Sequence, residues 1–308
     1  MIFLYFLSVA MSLKGKVLFI TGASRGIGLA IALRAAKDGG YIAIAAKTDT
    51  PHPKLPGTIH TAADEVRRAG GKALPLVCDI RNEEAIKAAI QKTVDTFGGI
   101  DIVVNNASAI SLTDTQETSL KKFNLMFEIN SRGTWLVTKH AIPHLIESGR
   151  KNRNPHILNL SPPLTLKEHW FKNHTAYSIA KFNMSLFVLG WAAEFRDKGI
   201  AANALWPLTV IETAALKAIG SHFGNNTRTP EIMCDAAHLI LTKNSKEFSG
   251  NFVIDEIILR EHGQTEFDHY ATRPGAKDMT IDLYVDDEIV NLAKTLQEAK
   301  SRKKSSKL

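Results

Sequence analysis

"TGASRGIG", residues 21–28, decides how this chain is to be read. It follows "KVLFI", an apolar run of strand length, and runs into "IGLAIALRAAKDGG", whose apolar spacing is helical and which stops at Gly39 and Gly40. Gly22, Gly26 and Gly28 lie between the two. Glycines there allow a tight turn and let the backbone approach a pyrophosphate, while the helix N-terminus offers unpaired N–H groups to an anion. The first gap is wider than in GxGxxG, so the position after a strand and before a helix carries the reading. Ala23, Ser24, Arg25 and Ile27 complete the turn and count with the glycines as expected cofactor contacts.

The same alternation continues outward. "YIAIAAK", "KALPLVCD", "IDIVVNNA", "NPHILNLS", "AANALWP" and "GNFVIDE" read as further strands. "TIHTAADEVRRAGG", "NEEAIKAAIQKTVDTFGG" and a long segment over 175–198 read as helices. Strands that are apolar throughout, alternating with helices, predict a parallel sheet covered on both faces. The expected fold is α/β, a doubly wound parallel sheet of Rossmann type in a single domain over residues 12–255. Residues 1–11 are expected to form an N-terminal extension. Residues 256–308 are expected to form a C-terminal appendage with a loop at Pro274-Gly275, a helix over 286–299 and a targeting tail.

Bulk properties narrow the function classes. The chain has 308 residues, 44% hydrophobic and 22% charged, with a formal net charge of +7. No apolar run reaches the ~18 residues of a membrane span. Much of the positive excess lies in "KSRKKSSKL", residues 300–308, where no aromatic residues interleave with the lysines. That pattern reads as a solvated tail, and no nucleic-acid partner is expected. Cys78 and Cys234 form no paired motif, and His140 and His144 flank Pro143 with no third ligand in sight, so no metal site is expected. "MIFLYFLSVA" lacks the basic flank of a secretory signal and is read as dispensable before Met11. Ser306, Lys307 and Leu308 spell a peroxisomal address, which predicts a peroxisomal import receptor as partner and the peroxisome as location.

Two features define the expected chemistry. The second strand ends at Lys47, where a site for NAD would carry an acidic residue, and Arg25 sits inside the glycine turn. Two cations near the adenosine ribose favour a 2′-phosphate and hence NADP(H). "YSIAK", residues 177–181, then places Lys181 one helical turn after Tyr177. An ammonium close to a phenol favours the phenolate and would lower an ordinary tyrosine pKa of ~10.

"TGASRGIG", "NNAS" (residues 105–108) and "YSIAK", in this order and spacing, resemble the short-chain dehydrogenase/reductase family over residues 13–255. The resemblance implies that Tyr177 gives or takes the substrate proton. It implies that Lys181 bonds the nicotinamide ribose, and that Asn130, in "EINSRG", holds a water behind the lysine. It implies further that Asp79 lies beside the adenine, that Asn106 and Ala107 line the adjoining stretch, and that Ile211 and Thr213 meet the carboxamide. It also implies a homo-oligomer built through the Tyr177 helix. Strings such as "AAKTDTPHPKLPGTIHTAADEV" and "LSPPLTL" resemble a group within the family whose members often carry a C-terminal sterol-carrier-type domain; no such domain is expected within these residues.

One element departs from the pattern. The family serine that helps Tyr177 grip the substrate oxygen falls at Pro162, leaving Ser161 or Thr165 as replacements. Losing one such donor costs ~10²–10³ in rate. Apolar stretches at "LTLKEHWFKNH" and residues 212–223 suit a lipophilic substrate. The expected function is therefore an NADP(H)-dependent oxidoreductase interconverting a lipophilic carbonyl and alcohol, in lipid or fatty acid metabolism. A non-catalytic NADP(H)-binding regulator on the same fold is the alternative.

Overall fold

Seven apolar runs form the seven strands of one parallel sheet: β1 (Val17–Thr21), β2 (Tyr41–Ala46), β3 (Lys72–Val77), β4 (Ile102–Asn105), β5 (His156–Leu160), β6 (Ala201–Trp206) and β7 (Phe252–Ile254). The computed structural model describes residues 12–51, 56–214, 216, 226–276 and 278–305, with side chains described through residue 299. Residues 1–11, most of 212–223, and Ser306, Lys307 and Leu308 therefore lie outside the described residues. The strand order is β3-β2-β1-β4-β5-β6-β7. β1, β4, β5 and β6 are buried throughout, which is why their sequences do not alternate. β3 forms an edge and can therefore carry Pro75, whose missing N–H would break a central ladder.

Helices cover both faces. α1 (Gly26–Lys37), α2 (Ile59–Arg68) and α7 (Glu231–Thr242) pack on one side, around Ile20, Ile44, Leu158 and Leu205. α3 (Glu83–Phe97), α5 (Thr134–Arg150) and α6 (Thr175–Glu194) cover the other, around Phe19, Val103, Ile157 and Ala202. α3 starts on Asn82, whose side chain accepts from the N–H groups of Glu84 and Ala85, and ends at Gly98 with φ +85°. α4 (Leu120–Met126) runs into α5 through a π-helical segment, Phe127–Gly133, that contains Asn130. Sequence periodicity did not single out α4, α5 or α7.

The chain order reverses between β1 and β4, and the crevice at the carboxyl ends of those strands is where open α/β sheets bind ligands. At the opposite end, Asp101 ties the floor together. Its buried carboxylate accepts two bonds of 2.7 Å from Arg153, one of 2.7 Å from Ser148 and one of 2.9 Å from the Val17 N–H.

The expected boundary at residues 255–256 is corrected by the structure. It would cut the start of α8 (Asp255–Glu261), where buried Glu256 pairs with both Arg228 and Arg260. Beyond α8, residues 278–285 run back along the sheet's end. An antiparallel bridge joins Thr209 to Ile281, the Val210 N–H bonds the Thr280 carbonyl at 2.9 Å, and the Asp282 N–H bonds the Leu208 carbonyl at 3.1 Å. α9 (Asp287–Ser305) follows. The third core cluster therefore joins Tyr284 and Val285 to Tyr177, Phe182 and Trp206, so the region read as an appendage is part of the single domain.

His156, in the middle of the sheet, carries an acid-stability prediction. It is fully buried, its Nε2 donates to the Lys243 carbonyl at 3.1 Å, and burial pushes its imidazole down from 6.5 to about 4. As pH falls through this window the unfolded chain takes up a proton that the folded one refuses, so this contribution is complete above pH 6.5 and lost toward pH 4. We expect the site to cost up to about 3 kcal/mol by pH 4. Denaturant unfolding of wild type and His156→Gln at several pH values between these limits checks it, with the variant showing the shallower dependence.

Candidate active site

The phosphate-binding end is built around a clasp between β1 and β4. Thr21 Oγ1 accepts from the N–H groups of Asn106 (3.0 Å) and Ala107 (3.1 Å), while Asn106 Nδ2 donates to the carbonyls of Thr21 (2.9 Å) and Gly22 (3.2 Å). This clasp explains two glycines. A Cβ on Gly22 would come within 2.9 Å of Asn106 Nδ2, and one on Gly28 within 2.5 Å of it and 2.8 Å of the Gly22 carbonyl. Gly26 has φ +59°, and a Cβ there would only reach van der Waals contact with Thr213, at 3.7 Å. α1 begins at Gly26 with no side-chain cap on its first N–H groups, which leaves them for an anion.

One cleft of about 750 Å³ runs from this turn across the sheet's end. Its walls include Gly22, Ser24, Arg25, Gly26 and Ile27 from the turn, Lys47 from the end of β2, and Asp79, Asn106 and Ala107. Tyr177, Lys181, Ile211 and Thr213 also line it. Arg25 is held by the loop before α2, donating from Nε to the Pro56 carbonyl and from Nη2 to the Gly57 carbonyl, both at 2.8 Å. Lys47 is exposed at the cleft's edge. Asp79 lies near it, and its hydrogen bonds to Arg81 hold its carboxylate below the usual range, with Lys47 adding a smaller pull.

At the other end α6 presents Tyr177 and Lys181 one turn apart, both buried. Lys181 Nζ donates to the Leu160 carbonyl at 2.8 Å, contacts Met184 Sδ at 3.7 Å and lies 5.3 Å from the Trp206 ring centre. Burial pushes its ammonium down to about 7, against a smaller upward pull from Asp282. The sequence reading has Lys181 lowering the Tyr177 pKa. Burial instead dominates there and drives the phenol well above its ordinary value, with Tyr284 and Asp282 adding to the rise. Tyr177 is thus a protonated donor at neutral pH.

Several expected contacts have other work. Ala23 is fully buried in the core, and Gly28 supports the clasp, so neither forms a wall of the cleft. Asn130 is fully buried and uses both ends of its amide on Ala109, Nδ2 to the carbonyl at 2.9 Å and Oδ1 from the N–H at 2.8 Å. It therefore fixes the loop after β4. Ser161 departs furthest from expectation. It is 0% exposed, is no part of the cleft wall, and its Oγ has no hydrogen-bond partner among the described residues. The chain around it is tied by Lys181 at the Leu160 carbonyl and by Ser185, which donates to the Pro162 carbonyl at 2.6 Å. Those ties fix the backbone on either side of Ser161. Thr165 also lies off the wall, in the loop where its Oγ1 accepts from the Lys167 N–H at 3.2 Å.

What sequence reasoning missed is the contribution of residues 282–284. Asp282 and Leu283 line the cleft beside Tyr177, Lys181 and Trp206. Trp206 Nε1 donates to the Leu283 carbonyl at 2.7 Å. Tyr284 is 0% exposed and sits among Trp170, Tyr177, Phe182 and Trp206, with ring centres 5.0–6.4 Å away, its hydroxyl 3.0 Å from Ser178 Oγ. Trp170 in turn donates to Asp286 at 2.6 Å. The signal in the sequence was the apolar run Leu283-Tyr284-Val285 set between acidic residues in "IDLYVDD".

A parallel sheet in this order, a glycine turn at its switch point and a buried Tyr-Lys pair facing the same cleft define a dinucleotide-dependent oxidoreductase fold. The chain belongs to the short-chain dehydrogenase family, whose description, short chain dehydrogenase, matches residues 16–222. It is 56% identical to hydroxysteroid dehydrogenase-like protein 2 of Xenopus laevis over 287 residues, 93% of this chain and 67% of that protein. A crystal structure from Xanthomonas campestris superposes with a TM-score of 0.86 at 51% identity, covering 90% of this chain and 100% of that one. A short chain dehydrogenase from Mycobacterium thermoresistibile does so at 0.83 and 50% identity, covering 89% and 96%.

The aromatic cage makes residues 278–285 structural as well as site-forming. Tyr284→Ala leaves a cavity where a buried ring was, and should lower unfolding free energy by about 3–5 kcal/mol. Chemical denaturation of the full chain measures it; a loss below ~1 kcal/mol would mean the segment is only loosely docked.

Proposed function

We propose that this chain is an NADP(H)-dependent oxidoreductase that interconverts a lipophilic carbonyl and its alcohol. The observation that carries the proposal is the single cleft joining the glycine turn and Lys47 at one end to Tyr177 and Lys181 at the other. The residues present fit the cofactor: Gly26 puts bare backbone on the cleft wall at the start of α1, and the first N–H groups of that helix have no side-chain cap. Lys47 and Arg25 would meet a 2′-phosphate, Asp79 the adenine side, and Lys181 the nicotinamide ribose. Apolar walls from Ile110, Leu125, Val210 and Trp206 suit a lipophilic substrate.

When bound, the nicotinamide supplies hydride to a carbonyl carbon or accepts it from an alcohol. Tyr177 performs the matching proton transfer. In reduction, the C=O π pair moves to oxygen as the new C–H bond forms, and the oxygen takes the Tyr177 phenolic proton. Burial holds that phenol in its protonated form, the form that donates in the reductive direction. Lys181, held on the Leu160 carbonyl, positions the ribose and stabilises the phenolate that results. Asn130 keeps the wall after β4 in place through Ala109. A role in lipid or fatty acid metabolism would follow from the apolar walls.

Fluorescence titration of NADPH, followed by a panel of fatty aldehydes, ketones and steroids, tests the reading. Tyr177→Phe should bind NADPH as wild type does and lose turnover by at least ~10². NADPH binding without turnover of anything would favour a non-catalytic regulator. Failure to bind NADPH would overturn the cofactor assignment. Lys47→Asp should weaken NADPH by about 10- to 100-fold while sparing NADH, since only the phosphate contact is lost.

A further inference from the structure

Among the described residues, neither the position of the family serine nor its expected replacements gives Tyr177 a second donor to the substrate oxygen. Ser161 is buried off the cleft, Pro162 has no donor, and Thr165 faces elsewhere. A carboxyl group stands in the same cleft. Asp282 is part of the wall that Tyr177, Lys181 and Trp206 form, and its charge bears on both Tyr177 and Lys181. Its backbone is fixed on both sides, by the N–H bond to the Leu208 carbonyl at 3.1 Å, the Thr209–Ile281 bridge and the Trp206 bond to Leu283. Oδ1 accepts from the Leu283 N–H at 2.6 Å.

We propose that Asp282, as a neutral carboxylic acid, donates the second hydrogen bond to the substrate oxygen beside Tyr177. The assignment rests on the oxidoreductase reading above and names the residue that completes its site. Several groups face Asp282: Tyr177 and Lys181 from α6, the neighbouring Tyr284, and Asp255, which is fully buried at the start of α8. Asp255 itself interacts with Arg228 and Glu256. Burial first, then the nearby Asp255, raises the Asp282 pKa to about 7, while Lys181 pulls it back. A substantial fraction of Asp282 is thus protonated near neutrality. In that form its O–H would stabilise the oxygen as negative charge develops there, the role a neutral acid on a cleft wall can fill. The proton is not consumed, because the Tyr177 proton is the one transferred. Once ionised, the same carboxylate would repel the developing alkoxide. The contribution is therefore present below the Asp282 pKa and lost as pH rises through it.

The test uses the full chain with NADPH and whichever carbonyl compound wild type reduces fastest. Asp282→Ala should lower kcat by about 10²–10³, with NADPH affinity unchanged. Asp282→Asn keeps a neutral N–H donor of the same shape, so it should retain activity within about tenfold of wild type. It should also lose the fall in kcat that wild type shows as pH rises through neutrality. Ser161→Ala should stay close to wild type. A merely structural role for Asp282 would leave the pH limb in place in Asp282→Asn, and that result overturns the assignment. So does wild-type kcat in Asp282→Ala, or a large loss in Ser161→Ala; either would leave the oxidoreductase reading standing. If wild type binds NADPH and reduces nothing in the panel, the parent reading fails and the Asp282 assignment falls with it.

Discussion

Four hydrogen bonds join Thr21 and Gly22 to the first two residues after β4 and hold the site open. The side chain of Asn106 reaches across to the carbonyls at the end of β1, and Thr21 takes the two N–H groups that follow β4. These bonds satisfy backbone groups that would otherwise be orphaned where two central strands end. They also set the height of the glycine turn above the sheet. Gly22 and Gly28 must be glycine because Asn106 occupies the space their Cβ atoms would need. The alignment of α1 toward an anion depends on that turn, and the depth of the cleft depends on how far the two strand ends are held apart.

A second constraint acts from the distant end of the chain. Residues 278–285 close the substrate side by backbone pairing with 208–210 and by insertion of Tyr284 among four aromatic rings. Aromatic side chains contribute heavily to packing, and each ring here also touches the helix or strand that carries Tyr177, Lys181 or Trp206. The Tyr177–Lys181 pair is therefore gripped from both sides. The low polarity of that enclosure, more than any single charge, sets the protonation of Tyr177 and Lys181.

The sheet was legible because its physics is local. A buried parallel strand must be apolar along its whole length, and all seven runs read that way became strands. The glycine turn and the Tyr177-Lys181 pair were legible because their spacing is short and fixed. Ser161 was misread because sequence shows a hydroxyl without showing where it points; the ties at Leu160 and Pro162 turn it into the interior. Asn106 and Asn130 were read as cofactor or water contacts, yet their amides serve the backbone of their neighbours. Asp282 and Tyr284 were missed for a different reason. Their partners lie about a hundred positions earlier, as the Ser178–Tyr284 bond illustrates, and no local pattern records a contact of that range.

That range has a consequence for how the molecule is assembled. As the polypeptide leaves the ribosome, β1 through β6 and the Tyr177 helix emerge well before residue 284. The nucleotide half of the cleft has all its parts at that stage, but the pocket around the reacting atoms does not. Closing so long a loop is among the slower and later steps in folding. A chain that has emerged only as far as β7 therefore holds the glycine-turn end of the cleft and lacks Asp282, Leu283 and Tyr284 at the other. The enclosure around Tyr177 is completed only by the last part of the domain to be made.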